Sequence, residues 1–482
     1  MVRPMSGVRQ YKPGRGLVAN SIALLATSQI TTLLGFLFWT VCARLASPST
    51  IGMTNTVFSA ISLVAVLTAT GFQPFLTRVL PGADPEERSG LCGTALVVSI
   101  VVSGVAGVAG SLLLPVRIHS AVGTGWLVGL VGVGAVSSAV LLVLNAALLG
   151  VRRADFSMLA NVLGSLLRLV VVAALLVGIV ATMSDAAAAH TILAVWVASL
   201  MVSIGLAGWL LVRATPGFRY RYGRVWLSRL RRGLAWDHLA MVAGQMPVLV
   251  LPILASAIFP PALVGYATIA MLIAGAFFAV SALVSNALLA HCADRPEHLR
   301  TEAGRAVRLI GALLLPPMVI TCLLAPKVLG LFGAGYADYS TLLILLLVAT
   351  LPNTLTDLAL ASLRVQRRLV VVAAITVAGS AITTGGAVLL WMQVPQWGIT
   401  GAGVSALASA VIIATTLCVI LFYRKVRAAS AGTIDDSPAL VAGEAPIVAA
   451  PLAEVSLVSP VTTFAQPADQ SSPENTVRSG HV

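Results

Sequence analysis

The chain has 482 residues, 58 % hydrophobic and only 10 % charged, with a mean hydropathy of +0.97. Soluble domains carry about 25 % charged residues, so this composition excludes a soluble globular protein and indicates a polytopic membrane protein. The net charge of +13 does not signal nucleic acid, because the basic residues stand in short clusters between apolar runs, the pattern of topology control and of contact with anionic head groups.

A span of about 20 apolar residues crosses the hydrocarbon core. On that rule helices are expected near 17–43, 49–74, 91–114, 123–149, 157–182 and 189–212, and again near 238–259, 263–290, 304–325, 340–363, 369–391 and 399–422. The basic N-terminus is followed by an apolar run too long for a signal-peptide core, so the first helix is expected to stay. Twelve spans put both termini on one side. The segments that alternation places in the cytoplasm hold 25 Lys and Arg, against 3 in the external loops. That asymmetry places both termini of this multi-pass cell-membrane protein in the cytoplasm.

The densest basic cluster is Arg213 to Asp237, with seven arginines and one acid. It reads as a cytoplasmic connector between two membrane-embedded halves, with Arg213–Arg232 facing anionic lipids. The expected organisation is therefore a basic N-terminus (1–16), a first lobe (17–212), the connector (213–237), a second lobe (238–427) and a tail (428–482). Six prolines among small and acidic residues make the tail a disordered segment. The halves look like copies. LASPSTIGM (45–53) and IFPPALVGY (258–266) align Pro48 with Pro261 and Gly52 with Gly265, an offset of 213. Val151 pairs with Val365 at 214, and LLLPVR (112–117) with LLAPKV (323–328) at 211. Six helices per copy give parallel-topology repeats about an axis along the membrane normal.

No paired carboxylate, metal-ligand cluster, phosphate-cradling loop or nucleophile motif is present, and five scattered cysteines give neither metal spacing nor a disulfide framework. Neither catalysis nor a metal nor a cofactor is expected. A transporter or a membrane scaffold remains. Charges inside spanning helices are expensive and mark functional sites by default. Arg168 lies about 17 Å along helix five, at mid-membrane; it is either a ligand for anionic oxygens or a structural arginine. Asp357 in helix ten is either a protonatable coupling site or an acid paired with Arg364. Asn145 occupies the matching region of helix four, and Gln245 is a further intramembrane polar group. Arg44 and Arg78 either snorkel or guard the two mouths of a cleft. His190 opens helix six, and the prolines of helix seven (247, 252) suit either bending or static packing.

Four segments carry a family resemblance: ARLASPSTIGMTNTVFSAISLVAVLTATGF (43–72), LVGYATIAMLIAGAFFAVSALVSNALL (263–289), LFGAGYADYSTLLILLLVATLPNTL (331–355) and WGITGAGVSALASAVIIATTL (397–417). The chain resembles the polysaccharide-transporter branch of the multidrug/oligosaccharidyl-lipid/polysaccharide exporter superfamily. The resemblance implies a flippase that moves polyprenyl-pyrophosphate-linked oligosaccharide from the inner to the outer leaflet by alternating access. It also implies polysaccharide polymerase or glycosyltransferase partners; for such a flippase the charged and polar residues singled out above, Arg168, Arg44, Arg78, Asn145 and Gln245, are the candidate substrate set, with Asp357 for coupling. Other members are multidrug exporters, which use an acid in the first lobe, and peptidoglycan-precursor flippases, which carry fourteen helices. This chain has twelve spans and no acid in the interiors of helices one to six. The remaining alternative is a scaffold that recruits glycan-biosynthesis proteins.

Overall fold

A backbone in hydrocarbon must satisfy its own N–H and C=O groups, so apolar spans of this length fold as helices. The computed structural model describes residues 30–178, 183–215, 217–233, 235–292, 299–333, 335–366 and 368–432. Among them there is no strand. The helices in chain order are α1 (Ile30–Leu45), α2 (Pro48–Ala69), α3 (Phe72–Val79), α4 (Pro85–Leu112), α5 (Val116–Val122), α6 (Thr124–Gly150), α7 (Ala154–Gly178) and α8 (Asp185–Ala214). After the connector helix α9 (Arg224–Gly233) come α10 (Ala235–Ile258), α11 (Pro261–Cys292), α12 (Leu299–Leu323), α13 (Ala325–Gly330), α14 (Ser340–Val365), α15 (Leu369–Gln393) and α16 (Gly401–Gly432).

Eleven of these are long and apolar enough to cross a membrane, and α1 is described over its last 16 residues. The all-α, twelve-helix class in two lobes is the one observed. The expected cytoplasmic N-terminus and the start of the first helix (1–29) lie outside the described residues, as does the chain from 433 onward. Three details differ from the expected spans. Helix two ends at Ala69 rather than near 74, and the chain re-forms as α3, whose short apolar face packs Phe72, Phe75 and Leu76 inward. The connector is partly helical, as α9. The last helix runs to Gly432. The chain up to Tyr423 forms one unit, and Arg424–Val482 falls outside it.

Helix starts are written into the sequence. Ser47 accepts from the Thr50 amide at 3.1 Å and is followed by Pro48, while Asp84 accepts from the Glu87 amide at 2.7 Å and is followed by Pro85. An N-cap acceptor followed by a proline at the first helical position is the standard start signal. Asp185 is bound by the Ser47 hydroxyl at 2.6 Å and the Thr50 hydroxyl at 3.2 Å, tying the start of α8 to the start of α2. At the edge of the same region His190 donates from its Nε2 to the Val122 carbonyl at 2.8 Å, and its ring centroid lies 3.9 Å from that of Trp126.

In lipid, apolar burial supplies no net drive for helix association, so close approach and hydrogen bonds decide the packing. The halves meet chiefly through α2, which packs on α10 and α11. Near their starts α2 and α11 cross at two glycines. A Cβ on Gly52 would lie 1.8 Å from the Pro261 carbonyl oxygen, and one on Gly265 would lie 1.9 Å from that of Pro48. The contact is reciprocal, as at a two-fold axis: each glycine of the repeat receives the carbonyl of the other copy's proline. Further along, the Asn55 amide donates to the Thr268 hydroxyl at 2.9 Å, again across an offset of 213 residues. Of the matches that suggested duplication, the one that pairs Pro48 and Gly52 with Pro261 and Gly265 therefore brings its two copies into contact. At the far end of α2 a second contact joins the halves, with the two ring nitrogens of His238 3.1 Å from the Thr70 hydroxyl and 3.1 Å from the Leu67 carbonyl.

Candidate functional site

Arg168 lies on α7, about 21 Å along the helix from Ala154. Its guanidinium sits over the ring of Phe38 on α1, 4.9 Å from the centroid, beside a core of Phe38, Cys42 and Val172. Its Nε is buried and has no hydrogen-bond acceptor. Among the described residues no carboxylate lies within ion-pair distance of it. Contact with an aromatic face offsets part of the cost of a buried guanidinium. The orphaned N–H leaves a donor unused, which costs free energy until an acceptor arrives.

Asp357 on α14 is held differently. One carboxylate oxygen accepts from the Ser281 hydroxyl of α11 at 2.8 Å and from the Asn353 amide one turn earlier at 3.2 Å. Among the described residues it makes no ion pair with Arg364. Pro352 stands inside the same helix turn.

Asn145 belongs to a closed cluster. Its Oδ1 accepts from the Ser157 hydroxyl at 2.8 Å and from the Asn161 amide at 2.9 Å, and its own amide donates to Asn161 at 3.3 Å. These bonds join α6 to α7 just beyond a tight turn in which Arg152 adopts a positive φ of 61°. Gln245 on α10 is exposed and has no side-chain hydrogen bond among the described residues. Arg44, at the end of α1, and Arg78, in the last turn of α3, are exposed and lie near opposite ends of α2, a helix about 33 Å long. The candidate residues thus do not form one contact cluster. Arg168 stands alone in the first half, Asp357 in a polar triad in the second, and Asn145 in its own network.

Several participants escaped the sequence reading. Phe38 is one of many aromatics and carries no mark of facing a cation. Ser281 is separated from Asp357 by 76 residues. Asn353 was within reach, because a residue four before an acid on a helix shares its face. The His238 contact with Thr70 and Leu67 had no signal beyond a lone histidine at a helix start.

No protein-family model matches the sequence, and no curated protein sequence matches it either. Solved structures do match. An inward-facing multidrug resistance MATE family transporter of the MOP superfamily aligns with TM-score 0.65 at 16 % identity, over 86 % of this chain and 99 % of that one. The fold is that of the MOP superfamily transporters. The lipid II flippase MurJ in an inward closed conformation gives TM-score 0.65 at 14 % identity, over 84 % of this chain and 87 % of the flippase. An outward-facing MATE family transporter gives 0.58 at 18 % identity, over 87 % and 96 %. The MOP fold accounts for the two-lobe arrangement, with α2 and α11 crossing between the lobes.

Proposed function

We propose that the protein is a flippase that carries a polyprenyl-pyrophosphate-linked oligosaccharide from the inner to the outer leaflet of the cell membrane. The observation that carries this reading is the buried Arg168 guanidinium, with an unsatisfied Nε and no carboxylate partner among the described residues. A guanidinium inside a spanning helix costs at least about 2.5 kcal/mol on insertion scales. A pyrophosphate that arrives and leaves would supply the missing acceptors, and the fork of donors suits phosphate oxygens. The MOP fold supports transport, and the match to a lipid II flippase supports a lipid-linked substrate. A cation exporter using an acid in the first lobe fits less well, since the acids of those spans, Glu86, Glu87, Asp155 and Asp185, all stand in first turns rather than in helix interiors.

The mechanism follows from the two contacts between halves. With 17–212 and 238–427 as lobes and the positive residues inside, the reciprocal crossing at Gly52 and Gly265 seals the outer end. That seal opens as the lobes rock, breaking the hydrogen bonds beside it from Asn55 to Thr268 and from Arg117 to the Ile258 carbonyl. In the inward-facing state Arg168 receives the pyrophosphate while the polyprenyl chain stays in lipid. Arg44 and Arg78 stand near the two ends of the path, Gln245 offers its free amide to the glycan, and Asp357 couples the cycle to an ion gradient.

The test is flipping of a fluorescent polyprenyl-pyrophosphate glycan by the purified protein in proteoliposomes. Transfer of the probe to the far leaflet supports the reading. Absence of transfer under every imposed gradient overturns it, and a scaffold then stands.

A further inference from the structure

The connector is not a free linker. Its backbone lies along the first turns of α4, where the Arg219 amide donates to the Ser89 hydroxyl at 3.1 Å and the Gly223 amide to the Thr94 hydroxyl at 3.2 Å. Two glycines make the groove that receives it. A Cβ on Gly93 would fall 2.4 Å from the Arg221 carbonyl oxygen, and one on Gly90 would fall 2.2 Å from the Trp226 ring nitrogen. Phe218 is buried in the core of the first half and Trp226 packs against that core. With the backbone fixed and the aromatic anchors inward, Arg219, Arg221, Tyr222 and Arg224 are exposed, while the half-exposed Tyr220 (48 %) packs its ring edge-on to Phe218 and donates its hydroxyl to the Gly208 carbonyl at 3.5 Å. Arg213, at the end of α8, extends the row with its guanidinium over the exposed Trp209 ring, 5.1 Å from the centroid. Among the described residues the one carboxylate paired with this row is Glu86, 3.1 Å from Arg221.

We infer that this pinned ledge is a binding surface for anionic phospholipid head groups. The chain enters it from one spanning helix, α8, and leaves toward another, α10, so it lies at the membrane boundary. Tyr and Trp settle at that depth, and arginines there attract phosphates of anionic lipid. Alternation of Arg and Tyr along an extended backbone gives both contacts at once: guanidinium to phosphate, ring to the glycerol and upper acyl region. The pinning by Ser89, Thr94, Gly90 and Gly93 means the ledge is formed before the lipid arrives, so little ordering is lost on binding. This surface does not depend on what the protein transports.

The experiment uses the full chain in neutral detergent and follows thermal unfolding as phosphatidylglycerol or phosphatidylcholine is added. Phosphatidylglycerol is expected to raise the melting temperature above the value reached in phosphatidylcholine. Each basic residue near an anionic surface strengthens binding about fivefold, so Arg219→Gln with Arg224→Gln is expected to raise the half-saturating lipid concentration roughly thirtyfold. Arg219→Lys with Arg224→Lys should keep most of the effect. Should the glutamine variant fold poorly, the wild-type protein supplies a second measurement: salt near 1 M, where the screening length is about 3 Å, is expected to abolish the phosphatidylglycerol shift. Equal shifts from the two lipids, an undiminished shift in the glutamine variant, or a shift that survives high salt each overturn the assignment. No transport step enters the readout, so its failure leaves the flippase reading untouched.

Discussion

Arg168 and Asp357 are both charged residues well inside spanning helices, one in each half, and they are held in opposite ways. Asp357 has two donors on one carboxylate oxygen, from Ser281 and Asn353. Arg168 has a ring face beneath it and a buried N–H aimed at no acceptor. A satisfied charge lowers the energy of the fold around it, whereas an unsatisfied one stores a preference for a ligand. Under the proposed function, that difference makes the first half the side to test for substrate binding and the second half the side to test for coupling.

The largest expected effect tests the unsatisfied member. Arg168→Ala should insert and fold normally, because no hydrogen bond or ion pair among the described residues is lost with it, yet flipping of the polyprenyl-pyrophosphate probe should fall at least tenfold. A charge-assisted hydrogen bond contributes about 1.5–3 kcal/mol, and the guanidinium offers more than one. Arg168→Lys should keep part of the rate, since the charge remains and the fork is lost. A wild-type rate from the alanine variant would make Arg168 a packing residue stabilised by Phe38.

The glycine crossing comes next, as the place where the halves are brought together. Gly52→Ala puts a methyl group 1.8 Å from the backbone oxygen of Pro261, and neither atom belongs to a flexible side chain. Forced separation of packed elements costs about 1–3 kcal/mol, read as a lowered melting temperature of the purified protein. Gly35→Ala on α1 is the control, because a Cβ there meets nothing within 4 Å. Should both variants melt alike, the crossing is not a tight contact in the folded protein.

Much of this was legible before any coordinates. Span positions follow from hydropathy, because a bilayer imposes length on helices. Helix starts follow from Ser47-Pro48 and Asp84-Pro85. The pairing of Pro48 and Gly52 with Pro261 and Gly265 was visible as a repeat, yet nothing in a repeat says that the two copies touch. That contact is tertiary, and only the reciprocal carbonyl–glycine geometry reveals it. The sites were less legible. A single arginine or acid in an apolar run marks expense, but its partners come from other helices tens of residues away, as Phe38 and Ser281 do. Asn145 stood out because it occupies the region of helix four that matches Asp357 in helix ten, and the sequence carries no mark of the Ser157 and Asn161 side chains that bind it.

Asn145 gives the third test. Removing its amide with Asn145→Ala leaves the Ser157 hydroxyl and one Asn161 amide hydrogen without their acceptor. Interhelical hydrogen bonds in membranes average about 0.6 kcal/mol, with a maximum near 1.7, so stability should drop by roughly 1 kcal/mol while flipping per folded molecule is unchanged. A selective loss of flipping at normal stability would return Asn145 to the substrate path.

Asp357→Asn has the smallest expected effect on the fold and the sharpest on coupling. Asparagine keeps an oxygen where Ser281 and Asn353 donate, and its volume matches that of aspartate, so both hydrogen bonds survive and stability should change by less than about 1 kcal/mol. What disappears is the ability to take up and release a proton. If Asp357 couples transport to a gradient, flipping with no gradient is unaltered in the variant, while the acceleration produced by an imposed proton gradient is lost. The contrast with Arg168 is then complete, since one substitution removes transport under all conditions and the other removes only its dependence on the gradient. An undiminished response to the gradient in Asp357→Asn would reduce the carboxylate to a bridge between α11 and α14, and the coupling group would have to be sought elsewhere in the chain.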